Sequence, residues 1–131
     1  MAVTTLIVED SLAARNVLKQ RLTEVGCTVI GEAGHAAQGL ALFRSLLPKL
    51  VTLDLLMPTV DGMDAKSLFR IIRAEAPDVA VILISSQAKK NEEAKFLGEG
   101  AMAYFQKPFI DARALAEKLR QIFPELTAKN G

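Results

Sequence analysis

Glu9 and Asp10 close the hydrophobic run Leu6-Ile7-Val8, and Asp54 closes Leu50-Val51-Thr52-Leu53. If both runs are parallel strands, the three carboxylates meet at one edge of a sheet. Ionised carboxylates about 4 Å apart repel by roughly 4 kcal/mol per pair at an effective dielectric near 20, so such a cluster persists only with a compensating charge. A divalent cation is the usual compensation. An all-oxygen donor set suits Mg2+, which takes one or two protein carboxylates, keeps several waters and accepts phosphate oxygens. Asp10 and Asp54 are the candidates for direct ligands, Glu9 for a ligand acting through water, and the backbone carbonyl of Leu56 for completing the protein's share. Two further run ends carry complementary groups: Ser85 follows Val81-Ile82-Leu83-Ile84, and Lys107 follows Tyr104-Phe105-Gln106. With a cation in place, an Asp oxygen can attack a phosphoryl donor while metal and ammonium neutralise the equatorial oxygens. Asp54 is the candidate nucleophile, Lys107 the ammonium, and Ser85 a hydrogen-bond donor to a phosphoryl oxygen. Taken singly, each is an ordinary strand-end residue; their value lies in the shared edge.

The elements that must position these groups are legible in the spacing. Short β-branched runs recur about every 25 residues, near residues 3–8, 28–32, 50–54, 79–85 and 103–106, with helical patterns between them. The runs around Val51 and Val81 are apolar on consecutive positions, as expected of central parallel strands covered on both faces. Ser11 can cap a first helix carrying Leu12, Val17, Leu18 and Leu22 on one face and ended by Gly26. Leu40, Leu42, Phe43, Leu46 and Leu47 mark a second helix, stopped by Pro48. A third carries Leu68, Ile71 and Ile72 and ends before Pro77. The fourth, from about Lys89 to Leu97, is the most polar. The fifth holds Leu115, Leu119, Ile122 and Phe123, with Pro124 ending it. This alternation predicts a doubly wound α/β sandwich, whose ligands bind outside the carboxyl ends of the strands.

At 131 residues the chain fits one domain, over 1–124, with a short tail over 125–131. Sixteen basic against fifteen acidic residues leave a net charge of +1, no electrostatic case for nucleic acid or an anionic membrane surface. No apolar segment approaches the roughly 20 residues that span a bilayer, and no export signal opens the chain. The single cysteine, Cys27, sits in an apolar run and reads as a small core residue; a reducing cytoplasm fits. His35, the only histidine, reads as a turn residue at a helix start, which argues against a histidine phosphocarrier. Met57, Met63 and Met102 read as packing residues.

Taken in order, Val8-Glu9-Asp10-Ser11, Leu53-Asp54-Leu55-Leu56-Met57-Pro58 with Asp61-Gly62, Leu83-Ile84-Ser85-Ser86 and Tyr104-Phe105-Gln106-Lys107-Pro108-Phe109 resemble the receiver domain of two-component response regulators. The resemblance covers essentially the whole chain and is closest to the single-domain, chemotaxis-type members. It implies a flavodoxin-like (βα)5 fold with strand order 2-1-3-4-5. It makes Asp54 the residue phosphorylated from a phosphohistidine of a histidine kinase or phosphotransfer protein, gives Glu9 and Asp10 to Mg2+, and makes Ser85 and Lys107 the phosphoryl partners. It also implies a cis Lys107–Pro108 bond, a switch pair of Ser85 and Tyr104, and a downstream protein target bound by the fourth helix, last strand and last helix. A phosphoryl group adds roughly two negative charges and three acceptor oxygens, enough to bias a small rearrangement. Lys89, Lys90, Glu92, Glu93 and Lys95 dominate the first part of that face, and as a charge run they otherwise read as solvated. A monomer or a phosphorylation-dependent dimer is expected. Leu56 and Gln87 depart from the polar residues that the chemotaxis-type members carry at those positions, so slow self-dephosphorylation is expected.

Three other functions are weighed against the switch, which is self-catalysed rather than an enzyme. A haloacid-dehalogenase-type phosphatase would need a second Asp where Leu56 stands. A flavin carrier would need a Ser/Thr/Gly-rich phosphate loop, whereas Glu9-Asp10-Ser11-Leu12 would repel phosphate. A phosphorylation-independent docking module would have no need of the acidic, hydroxyl and lysine positions together. The end of the chain shortly after the fifth helix suggests a stand-alone regulator, and a receiver cut from a longer regulator would read the same.

Overall fold

The computed structural model describes residues 2–86, 91–107 and 111–126. Five strands and five helices alternate: β1 (Val3–Val8), α1 (Leu12–Val25), β2 (Cys27–Ala33), α2 (Ala36–Leu46), β3 (Leu50–Asp54), α3 (Ala65–Glu75), β4 (Ala80–Ser85), α4 (Glu92–Gly98), β5 (Ala103–Gln106) and α5 (Ala112–Ile122). All the strands pair in parallel, in the order β2-β1-β3-β4-β5. This is the flavodoxin-like arrangement expected. Every residue of β3 and of β4 is buried, which is why both read as unbroken apolar runs.

Because side chains alternate across a strand, each strand feeds two cores. Leu6, Val8, Val51, Leu53, Val81 and Leu83 face one, closed by Phe43 of α2, by Leu68, Phe69 and Ile72 of α3 and by Phe96 of α4. Phe69 and Phe96 meet edge-on, with ring centroids 5.5 Å apart, a favoured aromatic geometry that fixes α4 against α3. Ile7, Leu50, Ile82 and Ile84 face the other, closed by Leu18 and Leu22 of α1 and by Leu115 and Leu119 of α5. Cys27 belongs to this second core.

The helix ends are set by local chemistry. Ser11 accepts from the Ala14 amide at 3.2 Å and starts α1; Gly26, at φ 114°, ends it in the left-handed conformation that favours glycine. His35 caps α2, its Nδ1 accepting from the Gln38 amide at 3.1 Å. Asp64 and Asp111 cap α3 and α5 in the same way.

The structure corrects the sequence reading in several places. Leu12 and Val17 do not join the buried face of α1; they are 62% and 54% exposed, and only Leu18 and Leu22 are buried. At about 100° per residue, Leu18 and Leu22 lie about 40° apart around the helix, whereas Val17 is about 100° and Leu12 about 120° from Leu18. Leu47 is not helical: it caps α2 at φ 49° and is 72% exposed. The expected start of the fourth helix at Lys89 lies outside the described residues, where Lys90, Gln87 and the Lys107–Pro108 bond with Phe109 also fall. Packing continues past Pro124, for Leu126 is buried in the second core. Among the described residues no helix is long and apolar enough to cross a membrane.

Candidate functional site

Strand register brings the acids together. Val8 pairs with Leu53 and Asp54 with Ile84, so Glu9 and Asp10 leave β1 beside the end of β3. Glu9 stays buried because its amide continues the ladder to the Ala33 carbonyl at 2.9 Å, while its Oε2 accepts from the Ser11 amide at 3.0 Å. One oxygen from each of Glu9, Asp10 and Asp54 lies within 4.8 Å of the others. Glu9 and Asp54 are each 2% exposed, and Asp10 is open to solvent.

Lys107 enters this cluster from β5. Its amide donates to the Ser85 carbonyl at 2.8 Å, extending the β4–β5 ladder by one rung, and this aims the side chain inward. Its Nζ lies 2.5 Å from Glu9 Oε1 and 3.1 Å from Asp54 Oδ2. Asp54 Oδ1 accepts from the Leu56 amide at 2.9 Å, so both carboxylate oxygens have a partner and the plane of the group is set. The Leu56 side chain is half exposed beside it.

The electrostatics follow from one ammonium facing three carboxylates. Partial burial pulls the Lys107 ammonium down, but hydrogen bonds and charge from Glu9 and Asp54 outweigh it and hold its pKa above the usual lysine value. Asp10 is pushed above the usual carboxylate value by partial loss of hydration, then by the hydrogen bond and charge of Glu9, against a smaller pull from Lys107. A cation would relieve this excess of negative charge, and the donors are all oxygen, the set a hard divalent ion such as Mg2+ prefers. The residues present fit that ion: Glu9, Asp10 and Asp54 would hold it.

Ser85, the last residue of β4, is buried at the same edge, directly after Asp54's partner Ile84 and opposite Lys107's neighbour Gln106. Tyr104 is partly buried against the first core. Its hydroxyl donates to Glu92 Oε1 at 2.5 Å. Burial first, then the Glu92 hydrogen bond, raise the Tyr104 pKa above its usual value, while the Ser85 side chain pulls it down.

Two participants escaped sequence reasoning. Glu92, expected on a solvated face, has a side chain only 10% exposed, with Oε2 3.9 Å from Lys66 Nζ of α3. Arg15 donates from Nη1 to the Glu9 carbonyl at 2.8 Å and its Nε lies 3.5 Å from Glu32 Oε1 of β2. The Glu92 contact depends on how α4 packs, which has no local sequence signal. Arg15 lies one helical turn after the capping Ser11, which places it over the strand end, but only the fold shows what it meets.

Comparison with known proteins agrees with this geometry. Residues 5–120 match the family model described as response regulator receiver domain. The chemotaxis protein CheY of Thermotoga maritima is 30% identical over 116 residues, covering 88% of this chain and 93% of that protein. The transcriptional regulatory protein PdtaR of Mycobacterium tuberculosis is 36% identical over 128 residues; the match takes in 96% of this chain but only 60% of that relative's length. In the crystal structure of the CheX–CheY–BeF3–Mg2+ complex of Borrelia burgdorferi, one chain superposes with a TM-score of 0.82 at 26% identity, covering 92% of this chain and 88% of that one.

Proposed function

The chain belongs to the response regulator receiver domain family of two-component signalling, and on that footing we propose that it is a phosphoacceptor switch that takes a phosphoryl group from a phosphohistidine onto Asp54. The observation that carries this reading is the meeting of Glu9, Asp10 and Asp54 with Lys107 at the carboxyl edge of the sheet.

An Asp54 carboxylate oxygen attacks phosphorus; the new O–P bond forms as the N–P bond to the donor imidazole breaks, and that nitrogen keeps the electron pair. The Leu56 amide orients the carboxylate before attack, which converts binding energy into alignment. Lys107, already within reach of Asp54 Oδ2, neutralises charge on the transferred oxygens, and Ser85 hydrogen-bonds one of them. Mg2+, held by Glu9, Asp10, Asp54 and the Leu56 carbonyl, supplies further charge neutralisation at those oxygens when bound. The chemistry is stoichiometric and self-catalysed, so the chain is not an enzyme in its own right. Receiver domains of this kind interact with histidine kinases and downstream targets; for this chain we assign the output to the α4–β5–α5 face, with Ser85 and Tyr104 as the switch pair.

Incubation with Mg2+ and acetyl phosphate, followed by intact mass measurement, tests the reading. One phosphoryl group should add to the wild type, and none to Asp54→Ala or to the wild type without Mg2+. Absence of an adduct together with failure to bind beryllofluoride would overturn the proposal.

A further inference from the structure

Glu92 is the one acid of the α4 charge run that turns inward: Glu93 and Lys95 are exposed, whereas the Glu92 side chain is 10% exposed. One of its oxygens accepts from the Tyr104 hydroxyl at 2.5 Å and the other faces Lys66 Nζ at 3.9 Å. It therefore joins α3, α4 and β5 at a single carboxylate. Tyr104 stands opposite Leu83 in the β4–β5 ladder, two positions before the rung of Ser85, and its hydroxyl interacts with the Ser85 side chain on one side and Glu92 on the other.

A hydroxyl that donates to a carboxylate becomes a better acceptor, because bonds in a chain polarise one another. Glu92 thus strengthens the hold of Tyr104 on the Ser85 hydroxyl. The same hydroxyl is the one assigned above to a phosphoryl oxygen on Asp54. We propose that Glu92 is a positioning residue of the switch: by accepting the Tyr104 hydroxyl it retains Ser85 beside Tyr104, and so competes with a phosphoryl group on Asp54 for the position of Ser85. The inference rests on the phosphoacceptor reading and adds to it the residue that sets the balance point.

The protein suits a direct test, because Tyr104 is its only tyrosine and it has no tryptophan. Beryllofluoride affinity in the presence of Mg2+ is measured by calorimetry for the wild type, Glu92→Ala, Glu92→Gln, Tyr104→Phe and the double variant Glu92→Ala/Tyr104→Phe. Tyrosine ionisation at 295 nm reports the hydrogen bond itself, among the charges of Glu92, Glu93 and Lys66 that surround it. Glu92→Ala should bind beryllofluoride about fivefold more tightly, the scale of one hydrogen bond of ordinary net strength. Glu92→Gln, which keeps a neutral acceptor, should fall between it and the wild type, and its ionisation should move in the same order. In the Tyr104→Phe background the Glu92 substitution should have no further effect. Unchanged or weaker binding in Glu92→Ala, or the same gain with Tyr104 already replaced, would overturn the proposal while leaving the phosphoacceptor reading intact. A wild type that fails to bind beryllofluoride would overturn both. Should Glu92→Ala lose its far-ultraviolet dichroism, Glu92→Gln with and without Tyr104→Phe makes the same comparison.

Discussion

Neutralising Asp10 should make the metal-free protein more stable and deprive it of its response to Mg2+. Asp10 shares a space of 4.8 Å with two buried carboxylates, and Lys107 is already engaged by both of those. At that separation a pair of charges costs about 3.5 kcal/mol at an effective dielectric of 20, and about 0.9 kcal/mol at the dielectric of water. Asp10 is open to solvent, so the lower figure governs, and about 1 kcal/mol is the expected gain for Asp10→Asn. For 131 residues, 1 kcal/mol corresponds to about 4 °C in Tm. The pH dependence has a definite sign. The folded Asp10 carboxyl binds its proton more tightly than the unfolded one, so its cost to stability is present above the raised folded pKa and disappears as pH falls below the unfolded value of 3.8. The advantage of Asp10→Asn should accordingly be full at pH 7 and vanish toward pH 3. In the wild type, Mg2+ at ten times its dissociation constant should add about 1.4 kcal/mol, or about 5 °C, and in Asp10→Asn almost nothing. Thermal melts followed by far-ultraviolet dichroism, with EDTA and with Mg2+, provide the measurement. A variant that melts at or below the wild-type temperature in EDTA, or that gains as much from Mg2+, would refute the charge argument.

Removing the ammonium instead of an acid should act the other way. Lys107→Met leaves Glu9 and Asp54 buried without their cation, and with the lysine itself 21% exposed the expected loss is about 2 kcal/mol at pH 7, read by urea denaturation. In the wild type the stabilisation from Lys107 is complete below its unfolded pKa of 10.5 and fades as pH rises through the raised folded value; a Lys107→Met protein with the same alkaline profile would contradict this. Leu56→Asn should shorten the life of the acyl phosphate, because an amide beside Asp54 can orient a water that the leucine side chain cannot, and intact mass against time gives the decay; an unchanged lifetime would count against that role. Gly39→Ala should cost about 1 kcal/mol in chemical denaturation, since a methyl there would stand 3.0 Å from both Leu68 Cδ2 and Val8 Cγ2 in the core, outweighing the helix propensity gained.

Much of the site is legible in the order of the residues alone. Carboxylates after two apolar runs, a hydroxyl after a third and a lysine after a fourth already imply one edge, because parallel strands joined by helices must all point their carboxyl ends the same way. The α/β alternation and the capping Ser11 and Gly26 are equally local, since they depend on periodicity and on backbone conformations that the residues themselves favour. Which side of a helix faces inward is less secure: Leu12 and Val17 are apolar yet exposed, because burial is decided by rotation about the α1 axis relative to the sheet. The distances within the acidic cluster, the entry of Lys107 between Glu9 and Asp54, and the reach of Arg15 to the Glu9 carbonyl come from strand register and helix packing. Glu92 marks the limit most clearly. In the chain it is one charge among several in a polar run, and nothing within a few residues distinguishes it from Glu93. Its burial against Tyr104 and Lys66 exists only because Phe96 locks α4 onto Phe69 of α3, a contact between residues far apart in the chain. Residue types and their order thus determined which groups are available and on which edge they stand, while tertiary packing alone decided which of them touch.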